Sequence, residues 1–134
     1  MIILDEELQG LGLEAAISRW YRGTVLIIKQ LRPGTVIKDD AIPALLRHVK
    51  QATFVTINLA DFWRRLPPEP SFCLVCFKVT ADQANEIPEL LRRLLRLPEF
   101  KTKRVRMGKA TLVSRRVVQY YSIHDRLIHI LGWQ

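Results

Sequence analysis

The stretch Met1-Ile2-Ile3-Leu4-Asp5-Glu6-Glu7 decides how the chain is read. An apolar run of strand-forming residues stops abruptly at a cluster of acids. In open α/β sheets, ligands bind outside the carboxyl ends of the strands. A carboxylate placed there can hold a hard cation. The competing reading is local: Asp5 caps the helix that follows, and Glu6 and Glu7 favour its first turn.

Working outward, Leu8 to Tyr21 has roughly helical spacing, with Leu8, Leu11, Ala15 and Ala16 on one face. Gly10 and Gly12 weaken its start, and Gly23 is a stop signal. Thr24-Val25-Leu26-Ile27-Ile28 is a continuous apolar run, which predicts a central strand covered on both faces. Pro33-Gly34 breaks the chain. A helix then opens at Asp39 or Asp40 and runs to about Val49, with Ile42, Leu45 and Leu46 inward. Pro43 is compatible with its first turn. Thr53 to Ile57 is a third strand, ending at Asn58 and followed by Asp61-Phe62-Trp63. Pro67-Pro68-Glu69-Pro70 is a rigid connector. Phe72 to Val79 is a fourth strand, and a helix capped at Thr80 runs to about Leu97 over a stripe of Ile87, Leu90, Leu91, Leu94 and Leu95. This alternation predicts a three-layer α/β/α sandwich with a mainly parallel sheet, over residues 1–100.

Charge divides the chain differently. Residues 1–100 hold 13 Lys/Arg against 12 Asp/Glu, whereas residues 101–134 hold 8 Lys/Arg against Asp125 alone. The net charge of +8 therefore sits almost wholly in the last 34 residues. Such asymmetry points to a polyanionic partner, most often nucleic acid. Lys101, Lys103, Arg104, Arg106, Lys109, Arg115 and Arg116 are the candidate contacts. The alternative is a basic surface that serves solubility or an acidic protein. Ala110–Val113 and Val117–Ile123 form strands around a Ser114-Arg115-Arg116 turn, so 101–134 is a basic, β-rich C-terminal extension. It is expected to pack as a hairpin on the body or on a neighbouring chain, the latter making a homodimer.

Other chemistry is weaker. Cys73 and Cys76 have redox or zinc spacing. On a strand, however, positions i and i+3 face opposite sides, so neither a bridge nor a shared metal is expected. His48, His124 and His129 have no nucleophile at a recognisable spacing. No nucleophile elbow and no phosphate loop is present. Trp63 beside Arg64 and Arg65 is read as packing, with stacking on RNA bases as the alternative. No apolar stretch approaches the ~20 residues that span a bilayer. An acidic start is unlike a secretory signal, so the cytoplasm is the expected location.

Acids thus fall at or near three strand ends: Asp5 after the first, Asp39-Asp40 after the second, and Asp61, with Asn58, after the third. Convergence of such groups is what a magnesium or manganese nuclease needs. Basic residues nearby would hold the polyanion that carboxylates repel.

The order Ile3-Leu4-Asp5-Glu6, then Asp39-Asp40-Ala41-Ile42, then Phe54-Val55-Thr56-Ile57-Asn58 with Asp61-Phe62 resembles the PIN-like proteins over residues 1–97. More narrowly, it is similar to the small PIN-like group linked to toxin–antitoxin systems. The resemblance implies an α/β/α fold, a Mg²⁺- or Mn²⁺-dependent endoribonuclease, and an antitoxin-like partner that covers the site. It also implies metal ligands at Asp5, at Asp39 with Asp40 as the alternative, and at Asp61, with Asp5, Asp39 and Asp61 catalytic. Asn58 stands where the family usually has an acid, and an Asn supplies a carbonyl oxygen without charge. A catalytically impaired module that binds nucleic acid or protein is therefore the alternative function. A phosphoacceptor receiver domain shares the acids after the first strand but needs an Asp where Asn58 stands.

Overall fold

The computed structural model describes residues 1–133. Five strands run parallel: β1 (Ile2–Leu4), β2 (Val25–Ile27), β3 (Ala52–Thr56), β4 (Phe72–Phe77) and β5 (Lys109–Val113). β6 (Val117–Ser122) and β7 (His129–Gly132) add antiparallel. All seven belong to one sheet in the order β2-β1-β3-β4-β5-β6-β7. The protein is an α/β fold, with α1 (Leu13–Ser18), α2 (Ile42–Arg47), α3 (Leu59–Phe62), α4 (Ile87–Leu94) and α5 (Lys103–Arg106) in the connections.

Strand periodicity explains how the sheet is covered. Successive side chains point to opposite faces, so a strand buried on both sides is apolar throughout. β4, Phe-Cys-Leu-Val-Cys-Phe, is buried at every position. Cys73, Val75 and Phe77 pack with Ile2, Leu4 and Val55 against α1 and α4. Phe72, Leu74 and Cys76 pack with Ile3 and Phe54 against α2 and α3. The two thiols therefore lie on opposite faces, and burial pushes Cys73 up to about 12 and Cys76 higher still. Neither is a thiolate at neutral pH.

α2 and α4 share a design. Each begins Ile-Pro after a 3₁₀ turn and buries an Ile-x-x-Leu-Leu stripe: Ile42, Leu45, Leu46 in one, Ile87, Leu90, Leu91 in the other. Proline suits the first helical turn, where its missing N–H is not needed. The helix expected from Thr80 consequently becomes a 3₁₀ segment, Ala81–Glu86, before α4.

Two sequence expectations are corrected. The helix expected over 8–21 begins only at Leu13, because Gly10 and Gly12 take left-handed backbone angles (φ 78° and 73°) that end a helix. Leu11 is consequently half-exposed and contributes nothing to the stripe. The run around Val25–Ile27 is an edge strand, not a central one, with Val25 and Leu26 only partly buried. Three residues of apolar sequence cannot distinguish an edge strand from an inner one.

Residues 109–132 complete the same sheet. β5 pairs parallel with β4, and β6 returns antiparallel through the Ser114-Arg115-Arg116 turn. Trp133 closes this end: its indole N–H donates to the Ser114 carbonyl at 3.1 Å, and the Arg93 guanidinium lies 4.7 Å from its ring.

Candidate functional site

β1 and β2 lie to one side of the point where the chain turns back to β3, so the strand order reverses between β1 and β3. In doubly wound sheets the ligand crevice opens at this switch, beyond the strands' carboxyl ends. Asp5 stands immediately after β1, and Thr56 ends β3.

Asp5 is 5% exposed. Its Oδ1 accepts from the Glu6 amide at 2.8 Å and its Oδ2 from the Thr56 hydroxyl at 2.6 Å. The capping role and the site role are thus compatible: each oxygen keeps further acceptor capacity. Thr56 Oγ1 in turn accepts from the Asn58 amide at 3.0 Å. Asn58 caps α3, accepting from the Asp61 amide at 3.1 Å and donating to the Asp61 carboxylate at 2.7 Å. One chain of hydrogen bonds therefore runs Asp5–Thr56–Asn58–Asp61. Thr56→Val should destabilise the protein by ~1–3 kcal/mol, because it strips a buried acceptor on Asp5 of its donor. Urea denaturation of the two proteins checks this.

A segment well beyond the end of β2 borders Asp61. The 3₁₀ turn Asp39–Ala41 lines a cleft of about 330 Å³ with Asp61, Phe62, Arg65 and Leu66. The carboxyls sense one another. Burial raises Asp39 above its ordinary value, helped by hydrogen bonding with Asp61 and by the charges of Asp5, Asp61 and Asp40. Burial raises Glu7, with Asp5 next and Asp39 and Asp61 contributing. Burial also raises Asp5, against the opposing hydrogen bonds from Thr56 and Glu6.

Asp39 and Asp61 therefore line one cleft, and Asp5 stands at the neighbouring strand end, linked to Asp61 through Thr56 and Asn58. Asp40 lines the cleft but acts only on Asp39 among these acids. Asn58 is engaged as a cap through both ends of its amide, which differs from the free ligand position expected for it. Glu6 and Glu7 stand in the first turn of the 3₁₀ helix Glu6–Leu8 that Asp5 caps, as expected for acids at a helix start.

The all-oxygen acidic donor set fits a hard divalent cation. Repulsion between Asp39 and its acidic neighbours is what such a cation would relieve. Among the described residues, no three His, Cys, Asp or Glu side chains are grouped so that they could hold a metal ion.

The basic residues separate into different roles. Arg106 is 2% exposed, donating from Nε to Thr53 Oγ1 at 2.8 Å and from Nη1 to the Phe100 carbonyl at 3.1 Å. It is a buried structural cation, not the surface contact expected from the charge run. Lys109 is half-buried, donating to the Glu99 carbonyl at 2.6 Å beside the Phe100 and Tyr120 rings. Arg115 is held in a two-pronged pair by Glu86, while Arg116 is exposed. Both stand at the sheet's carboxyl end, with Lys78. Lys101, Lys103 and Arg104 are exposed at the amino end.

The aromatic candidates are mostly packing. Trp63 meets Tyr121 edge to face at 5.6 Å, and Tyr120 stacks on His129 at 5.1 Å. His129 also pairs with Asp125 at 2.6 Å.

No helix among the described residues is long and apolar enough to cross a membrane. Compared with known proteins, the chain matches no family model, no curated protein and no solved structure.

Proposed function

We propose that this protein is a Mg²⁺- or Mn²⁺-dependent endoribonuclease of PIN-like, three-layer α/β/α fold, with the basic segment 101–134 helping to hold RNA. The observation that supports this is Asp5 at the switch point of the sheet, linked through Thr56 and Asn58 to Asp61, which shares a cleft with Asp39 and Asp40. A cytoplasmic location and a role as the toxin of a toxin–antitoxin pair, with a partner protein covering the cleft, belong to the same reading.

Asp5, Asp39 and Asp61 would hold the cation, with Glu7 or Asp40 adding an oxygen. When bound, it supplies a nucleophile at neutral pH and neutralises charge building on phosphorus. The protein's own groups do the remainder. Thr56 fixes the Asp5 carboxylate, and Asn58 fixes Asp61. Arg65 lines the acidic cleft and can pair with a phosphate there.

Asn58 favours a second reading, a binding module without catalysis, because its amide is spent on Asp61 and brings no charge. The two separate in one experiment on the full chain. Single-stranded RNA should be cleaved in Mn²⁺ and left intact in EDTA. Salt-sensitive RNA binding with no cleavage in Mn²⁺ would establish the second reading instead.

Linkage supplies an independent check. Folded-state values raised above the ordinary 3.8 of Asp and 4.5 of Glu mean that the native state binds more protons than the unfolded one. Without metal, these groups make stability fall as pH rises through that window, and the penalty is complete above the raised values. Saturating Mn²⁺ at neutral pH should therefore raise Tm by ~5 °C. The increment should shrink toward zero as the carboxyls protonate. Differential scanning fluorimetry across pH, with and without Mn²⁺, reads both.

A further inference from the structure

The geometry points to a second ligand site at the opposite end of the sheet: a pocket for a nucleotide unit, its phosphate held by basic side chains and its base stacked on aromatic rings. A cavity of about 390 Å³ opens there between the segment after α1, the end of α4 and the segment 101–106. This is within the range of small-ligand pockets. Trp20 and Tyr21 form one wall, Arg92 and Arg96 a second, and Lys101, Lys103 and Arg106 the third. No carboxylate of the described residues lines it.

Charge makes this cavity unlike an ordinary surface dent. Arg92, Arg96, Lys101 and Lys103 belong to none of the ion pairs among the described residues, which join Arg47 to Glu69, Arg115 to Glu86 and His129 to Asp125. Beneath them lies the buried Arg106, whose Nε and Nη1 are used by Thr53 and Phe100 while Nη2 has no protein acceptor among the described residues. A buried guanidinium without a counter-ion is unfavourable. Gathering further cations around it raises that penalty and creates a strong preference for an anion. A guanidinium matches phosphate oxygens in geometry as well as charge.

The aromatic wall narrows the ligand class. Trp20 and Tyr21 are only partly buried and stand edge to face at 6.2 Å, leaving ring surface toward the cavity they line. A nucleobase stacks on such rings without sequence preference. The site does not depend on the carboxylates. Arg106 and Asp5 bond to Thr53 and Thr56 of the same strand, three residues apart and on opposite faces, about 10 Å along β3.

The test measures binding in EDTA, so that failure of the nuclease reading leaves it unaffected. The probes are 5′-AMP, adenosine, inorganic phosphate and a short 5′-phosphorylated single-stranded oligoribonucleotide, titrated calorimetrically against the full chain. Arg96→Glu/Lys101→Glu should weaken the bound nucleotide or oligonucleotide at least ~10-fold and flatten its salt dependence. Both residues are at the surface, and an unchanged melting curve confirms the fold. Trp20→Leu, which keeps apolar bulk, should remove the preference for 5′-AMP over phosphate. Binding of free 5′-AMP identifies a soluble nucleotide as the source; binding of the oligonucleotide alone identifies a strand segment. Equal affinity for phosphate and for both nucleotide probes would overturn the proposal, as would no binding. So would equal weakening by the matched reversal Arg32→Glu/Lys50→Glu, which would mark general attraction to a basic chain.

Discussion

Asp5→Asn is expected to lower RNA cleavage by ~10²-fold or more, the scale on which loss of one preorganised electrostatic group acts, while leaving the protein folded. Asp5 is the deepest of the acids, and both its oxygens are held, by the Glu6 amide and the Thr56 hydroxyl. Asn preserves the shape and can still accept from Thr56 through its carbonyl. It loses the charge that a hard cation requires. Stability in metal-free buffer should change little: the Asn NH₂ cannot accept from the Glu6 amide, which offsets the relief of a carboxylate that burial disfavours. The increment in Tm with Mn²⁺ should fall at the same time. Rates measured on a labelled oligoribonucleotide, with circular dichroism for the fold, check this. Undiminished cleavage in the folded variant would remove Asp5 from the site and the nuclease proposal with it.

Phe54→Ala should be the most damaging single change to the fold, by ~3–5 kcal/mol. Phe54 is fully buried at the middle of β3, between β1 and β4. Its ring meets Phe62 edge to face at 5.4 Å. Aromatic pairs of this geometry add to the value of burial alone. α3 has only four residues, so its position depends on Phe62 more than on its own hydrogen bonds. Asp61 lies one residue before Phe62. The cavity should therefore cost cleavage as well as stability, with the loss of rate exceeding what the unfolded fraction accounts for. Denaturant titration beside rate measurements separates the two effects. A loss below about 1 kcal/mol would mean that the site collapses to fill the space.

What could be read from the residues follows from how local each signal is. β4 was evident because all its residues are apolar and it is buried on both faces. The placing of Asp5 and Asp61 beyond the ends of β1 and β3 was readable because each follows its strand closely, and parallel strands bring their carboxyl ends to one side. β2 was misplaced because apolar composition speaks of burial and not of strand order. Arg106 was misjudged because a run of Lys and Arg normally faces water, whereas a single-turn helix here carries one of them under the sheet. The basic pocket had no sequence signature. Trp20, Arg96 and Lys101 come from separate segments that only the tertiary fold brings together.

The position of β1 has a consequence in time. It lies inside the sheet, between β2 and β3, and the bond that fixes Asp5 reaches Thr56, 51 residues along the chain. Contacts so distant must repay the entropy of closing a long loop before they stabilise anything. Until β3 has left the ribosome, β1 can have only one of its two neighbours, and the acids remain scattered along an open chain. Closure of β3 against β1 then seats Thr56 beside Asp5 and carries Asp61 into place. A chain that ends before β3 therefore lacks both the inner neighbour of β1 and the bond that fixes Asp5.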